Sequence, residues 1–123
     1  DKAVIITGDR GAGKSTLTTA LRQKGYKFLA DDVAATLIEE VPKIQCGFPY
    51  QKLCEDAMDA MGYDKGRYTS FEGDGKVKYI IPAFNDFEEE DKPLEAICEI
   101  VAGDVQQVEI EVIKGQEKLR YIL

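Results

Sequence analysis

Eight residues near the start of the chain, Gly8-Asp9-Arg10-Gly11-Ala12-Gly13-Lys14-Ser15, follow the spacing G-x-x-x-x-G-K-S. Those residue types at that spacing suit a phosphate-binding P-loop. Glycines at 8, 11 and 13 let the main chain bend where a Cβ would forbid it and approach a phosphate closely. The N–H groups of such a loop, with the positive end of a helix dipole behind them, face an anion. Lys14 is a flexible cation with the reach for β- and γ-phosphates. Ser15 offers a hydroxyl to Mg²⁺. With Thr16, the candidate nucleotide-binding stretch runs from Gly8 through Asp9, Arg10, Ala12 and Lys14 to position 16.

A second pair of residues answers the first. Asp31-Asp32 begins 17 positions beyond Lys14, the length of one helix and a returning strand. One carboxylate can accept the proton of an attacking hydroxyl, and another can hold Mg²⁺ directly or through water. Neighbours on an extended strand point to opposite sides, so the two acids do not share one role. An N-cap or a surface turn is the plain alternative for the pair.

The flanking sequence must place these groups. Ala3-Val4-Ile5-Ile6-Thr7 is a β-branched run suited to a buried strand, and Ser15–Lys24 carries Leu17, Ala20 and Leu21 at helical spacing. Strand, glycine loop and helix is the order the motif requires. Gly25 is placed to close the helix. Tyr26–Ala30 then reads as a second strand running into Asp31, and Val33–Ile38 as a further one, broken by Pro42. Residues 44–49 read as an irregular loop. Gln51–Met61 reads as a helix, with Leu53, Cys54, Ala57, Met58 and Met61 on one face and Gly62 as its stop. The two methionines read as core filler rather than as a metal or cofactor feature. Asp74-Gly75 signals a hairpin before a strand over Lys76–Ile81. Asp86–Asp91 holds five acids in six positions, a solvated loop or a contact for a basic partner. Leu94–Val101 and Val108–Ile113 read as strands, and a helix starts at Gln116. Three helices and six or seven strands are more β structure than a small parallel-sheet kinase would have.

The 123 residues suffice for one domain with a real core, and 44% apolar with 32% charged is ordinary for a globular protein. A net charge of −7 argues against duplex nucleic acid or an anionic membrane as main partner. Cys46, Cys54 and Cys98 are odd in number and lack any CxxC pattern, and without histidine a Cys/His zinc site is excluded. Reduced, buried cysteines in a cytoplasmic protein are the expectation. No signal peptide or long apolar run is present. The start at Asp1-Lys2 and the close on Arg120-Tyr121-Ile122-Leu123, which reads as an unfinished amphipathic helix, lead to the expectation that residues 1–123 are a single P-loop kinase domain from a longer chain.

Several stretches together resemble the HPr serine kinase/phosphorylase family. They are Gly8 to Leu17, Leu21, Gly25-Tyr26 and Leu29-Ala30-Asp31-Asp32. Phe48-Pro49-Tyr50-Gln51-Lys52-Leu53-Cys54-Glu55-Asp56-Ala57, then Met61-Gly62 and Lys78–Pro82, look like the HPr-kinase-related branch that includes lasso-peptide precursor kinases. The resemblance implies a phosphoenolpyruvate-carboxykinase-like α/β fold, a mixed β-rich sheet around the P-loop. It also implies ATP and Mg²⁺ as cofactors, a serine of a peptide or small protein as acceptor, and it permits homo-oligomers. Carried onto this chain, Lys14 binds phosphate and Ser15 binds metal. Asp31 becomes the base for the acceptor hydroxyl, and Asp32 assists the metal. Lys52, Arg67 and Lys78 are candidate cations near the phosphates, each also readable as a surface residue. Thr16 stands where bifunctional HPr enzymes carry an acid. No histidine and no HPr-docking signature are present, which leaves HPr itself and the phosphorylase reaction outside the expectation.

Two other readings compete with a serine kinase. A small-metabolite kinase of the shikimate type would want more helix and an arginine-rich lid. An ATPase or nucleotide-binding regulatory module would want a separate acid after a second apolar strand, and no such strand is clear.

Overall fold

The computed structural model describes residues 1–122, and Leu123, the last position of the expected terminal helix, lies outside them. The chain forms a small mixed α/β domain with two sheets. β1 (Ala3–Thr7) leads through the glycine loop into α1 (Lys14–Gln23). Two short strands, β2 (Thr36–Leu37) and β3 (Lys43–Ile44), follow a long irregular run. β4 (Tyr50–Cys54) passes directly into α2 (Glu55–Ala60). β5 (Ser70–Gly73) and β6 (Lys76–Pro82) form a hairpin, and β7 (Lys92–Glu99) returns to the first sheet. α3 (Lys118–Ile122) ends the described chain.

The first sheet has the order β1-β7-β3-β2 and the second the order β4-β6-β5. β1 runs parallel to β7, with Ile5 opposite Ile97, while β3 pairs with β7 antiparallel. β4 pairs with β6 so that Gln51 faces Ile81 and Leu53 faces Tyr79. Alternation along both strands turns these four residues inward. Leu53, Ala57, Met58, Tyr79 and Ile81 form the main core, with Tyr63 and Tyr68 packed on its edge. Leu53 and Met58 are fully buried, and each contributes roughly 1.5–3 kcal/mol by leaving water.

Local signals fix the turns. Tyr26 N donates to Leu21 O and Gly25 N to Arg22 O, with Gly25 at φ 97°, so α1 ends in a Schellman closure. Asp74 (φ 53°) and Gly75 (φ 74°) both take positive φ, the two-residue turn that matches strand twist.

Several expected elements differ. Gln51–Met61 is not one helix. Gln51 and Leu53 point inward at period 2 on β4, and helical spacing begins only at Glu55, after an extended Cys54. Tyr26–Ala30 builds no strand ladder and makes a single bridge, Phe28 to Phe87, its main chain bonding to Leu21 at Tyr26, to Asp86 and Glu88 at Phe28 and to Gly47 at Leu29. Val33–Ile38 narrows to β2, and β3 takes Lys43 together with Ile44, the first residue of the expected irregular loop. The strand expected at 94–101 is shifted to Lys92–Glu99, its start set by Pro93 and Lys92 pairing with β3. Val108–Ile113 is irregular and lies outside both sheets. α1 buries Thr19 and Arg22 rather than an apolar face, and Leu17 is 38% exposed. None of the three cysteines is fully buried, and Cys98 is exposed on the outer part of β7.

The acidic run over 86–91 is occupied within the chain. Asp86 lies 3.8 Å from Arg22 Nε, Lys92 pairs with Glu88 and Glu90, and Asp91 accepts from Cys46 N–H at 3.1 Å. Met58 is core filler as expected, while Met61 sits half-buried at the end of α2.

Candidate phosphate-binding site

The glycine loop links the end of β1 to the start of α1. Gly8 takes φ 153°, and a Cβ there would stand 2.5 Å from Ile100 O, so the close pass of β7's exit demands glycine. Gly11 (φ 82°) and Gly13 (φ 101°) hold left-handed turns that L side chains rarely adopt. Gly13 caps α1 without a side-chain hydrogen bond. The N–H groups of the first turn are therefore left to solvent or to an anion.

Lys14 folds back over this loop. Its Nζ donates to Gly8 O and Asp9 O, both at 2.7 Å, which holds the ammonium above the bend and leaves one N–H donor. Arg10 reaches away from the loop to Asp74 at the β5–β6 turn, 3.4 Å distant, and Lys78 Nζ stands 3.5 Å from the same carboxylate. Ser15 and Thr16 follow on α1, both half-buried.

The base of the loop is tied to the second sheet by Gln51, fully buried on β4. Its Nε2 donates to Thr18 Oγ1 at 2.7 Å and to Ser15 O at 3.3 Å, and its Oε1 lies 3.1 Å from Thr19 Oγ1. Gln51 was legible in the sequence only as part of a presumed helix. The signal was a polar residue at the inward register of the alternation Gln51, Leu53.

Asp31 and Asp32 stand at the end of the run that returns from α1. They are held from β4, not by a strand of their own. Asp31 Oδ2 accepts the main-chain N–H of Lys52 at 2.9 Å, and Asp32 Oδ2 lies 3.4 Å from Lys52 Nζ. Burial pushes the Asp31 carboxyl up to about 6 from its ordinary 3.8. The charge of Asp32 pushes the same way, while the Lys52 N–H and the cations of Lys52 and Lys78 pull it down. Arg67 is not part of this group; it pairs with Asp64, three residues away in sequence, on the surface.

Gly8, Lys14, Ser15, Thr18, Asp31 and Asp32 all line one open cavity of about 1050 Å³. Asp9, Arg10, Gly11 and Ala12 line a separate small pocket with residues 100–102, while the two ends of the glycine stretch and the acid pair are walls of one space. Ser15 and Asp32 supply hard oxygen donors there. Among the described residues no cluster of three His, Cys, Asp or Glu side chains forms a dedicated metal cage. A donor set this sparse fits Mg²⁺, which keeps several waters and takes phosphate oxygens as ligands.

No protein-family model matches the chain, and neither the curated proteins nor the solved structures give a significant match. Among the described residues no helix is long and apolar enough to cross a membrane.

Proposed function

We propose that this domain is an ATP-dependent kinase that moves a γ-phosphoryl group to a serine hydroxyl of a peptide or small protein. The observation that carries the reading is one cavity walled by Lys14 and Ser15 on the glycine loop and by an Asp31 whose carboxyl titrates near 6. A base poised just below neutral pH is ionised at pH 7 and still basic enough to take a hydroxyl proton. The serine acceptor comes from the resemblance to the HPr serine kinase/phosphorylase family. So does the finer fold proposal, a phosphoenolpyruvate-carboxykinase-like P-loop domain.

In this reading the loop N–H groups and Lys14 bind the phosphates. Ser15 and Asp32 would hold Mg²⁺, which offsets phosphate charge when bound. Asp31 accepts the proton of the acceptor hydroxyl, whose oxygen forms the new P–O bond as the β–γ bridge breaks and ADP leaves. Lys52 fixes Asp31 by its main chain, and Lys78 adds positive charge beside it.

The test is mass spectrometry of acceptors incubated with ATP, Mg²⁺ and the protein. The panel holds serine-terminated peptides, an HPr protein and small hydroxy-metabolites, with Lys14→Ala as control. One added phosphate on peptide serine, lost in the control, is the expected result. ATP hydrolysis with every acceptor unmodified would overturn the kinase reading.

A further inference from the structure

One sheet edge lacks a strand, and one strand-patterned segment lacks a sheet. Among the described residues β1 pairs with β7 alone. Ile100 N–H donates to Thr7 O at 2.8 Å, so Thr7 faces β7. By alternation Ile6 and Val4 present their main-chain groups to the open edge. Every residue from Asp1 to Gly8, and every residue from Gly25 to Asp32, lines the same open cavity of about 1050 Å³. Thr18 and Leu21 of α1 look onto it.

The unpartnered segment is Val108-Glu109-Ile110-Glu111-Val112. It alternates β-branched and acidic residues, the pattern of a strand with one buried face. Yet Val108, Ile110 and Val112 are 86%, 90% and 73% exposed, and the segment joins neither sheet. Its single apolar face has nothing to cover.

We propose that Val108–Val112 inserts along the open edge of β1 in the same chain and adds a fifth strand to the first sheet. The chain leaves that sheet at Ile100, beside the C-terminal end of β1. The residues between Ile100 and Val108 reach about 25 Å, against about 10 Å for two strand spacings. Entered from that end, the added strand runs antiparallel to β1. Val108, Ile110 and Val112 cover Thr18 and Leu21, and Glu109 and Glu111 take the other face. So short a tether gives the segment a millimolar effective concentration and favours it over a second copy. The inference does not rest on phosphoryl transfer: the added strand takes the part of this cavity along Ala3–Thr7, and Gly8, Lys14, Ser15, Asp31 and Asp32 line the remainder.

Residue-resolved hydrogen exchange on the whole chain tests it, across a hundredfold range of protein concentration. The expected result is protection of the Val4 and Ile6 amides and of alternate amides over 108–112, at least about a hundredfold over free chain. That protection should not change with dilution. Ile110→Pro should return Val4 and Ile6 to fast exchange while the β4–β6 amides stay protected. Free-chain exchange over 108–112 in the unsubstituted protein would overturn the proposal. So would protection that falls on dilution, which would put the strand in a second copy. If Ile110→Pro also exposes β4–β6, the unsubstituted protein alone decides.

Discussion

The main-chain N–H of Lys52 donates to Asp31 Oδ2 at 2.9 Å. The candidate base is thereby held by the second sheet, although it stands on the run that returns from α1. The side chain of the same lysine lies 3.4 Å from Asp32. Position 52 serves the two acids by separate routes, and substituting its side chain to alanine leaves the bond to Asp31 available.

Asp31 gives a pH signature. Its carboxyl titrates near 6 in the folded chain against an ordinary 3.8, so folding favours the protonated form. The stability this confers is full below about pH 4 and is lost as pH rises through about 6. Asp31→Asn should then be more stable than the unsubstituted protein at pH 7.5, by up to about 1 kcal/mol after solvent screening. The gain should vanish at pH 4. Urea unfolding at both pH values checks this, and equal stability at pH 7.5 would contradict the burial argument.

The same titration sets the expected rate profile. Phosphoryl transfer should rise with pH until about 6 and level off above it, because the base must be ionised. Asp31→Asn should keep nucleotide binding and lose about 10²–10⁴-fold in turnover. Unchanged turnover in single-turnover assays would remove Asp31 from the base role.

Gln51→Ala should be among the costlier single changes. It leaves a cavity and strips partners from Ser15 O, Thr18 and Thr19 at a fully buried site. We expect a loss of about 2–3 kcal/mol in urea unfolding. A loss under about 0.5 kcal/mol would mean that Gln51 is not the tie between β4 and the loop.

Asp74→Ala should cost about 1 kcal/mol, chiefly because alanine tolerates φ 53° less well than aspartate; the ion pairs with Arg10 and the half-buried Lys78 add little. It frees two cations beside the loop, so nucleotide affinity measured by titration calorimetry should rise a few-fold. Weaker binding would show that Asp74 itself serves the ligand.

Gly8→Ala should fold poorly even though alanine is small. The added Cβ meets a carbonyl oxygen at 2.5 Å, and φ 153° is unfavourable to it. A loss of about 1–3 kcal/mol is expected. Gly11→Ala meets open space, so only its φ is strained, and thermal melts of the pair should rank Gly8→Ala as the less stable.

The local geometry of the candidate site was more legible than the frame that carries it. Local rules placed the glycine loop, because only glycine tolerates Gly8, Gly11 and Gly13, and the same rules placed α1's end and the Asp74-Gly75 turn. Strand identity depends on partners distant in sequence. Tyr26–Ala30 has strand residues but only one bridge, and Val108–Val112 has strand alternation but no neighbour. Gln51–Met61 misled for another reason. A strand and a helix share one buried face, so Leu53 at the end of one period and Ala57 and Met58 in the next mimic continuous helical spacing. Of the three candidate cations, Lys52 and Lys78 owe their place beside Asp31 to β4–β6 pairing, whereas Arg67 lies on a surface turn.

Gly13 starts α1 with no side chain to cap it. On the proposed reading a bound anion would satisfy first-turn N–H groups that no side chain caps, and folding and anion capture would form one coupled equilibrium. A ligand held at a hundred times its dissociation constant adds about 2.7 kcal/mol to the folded state. The melting temperature of this domain should accordingly report phosphate-bearing compounds directly, with no reaction required.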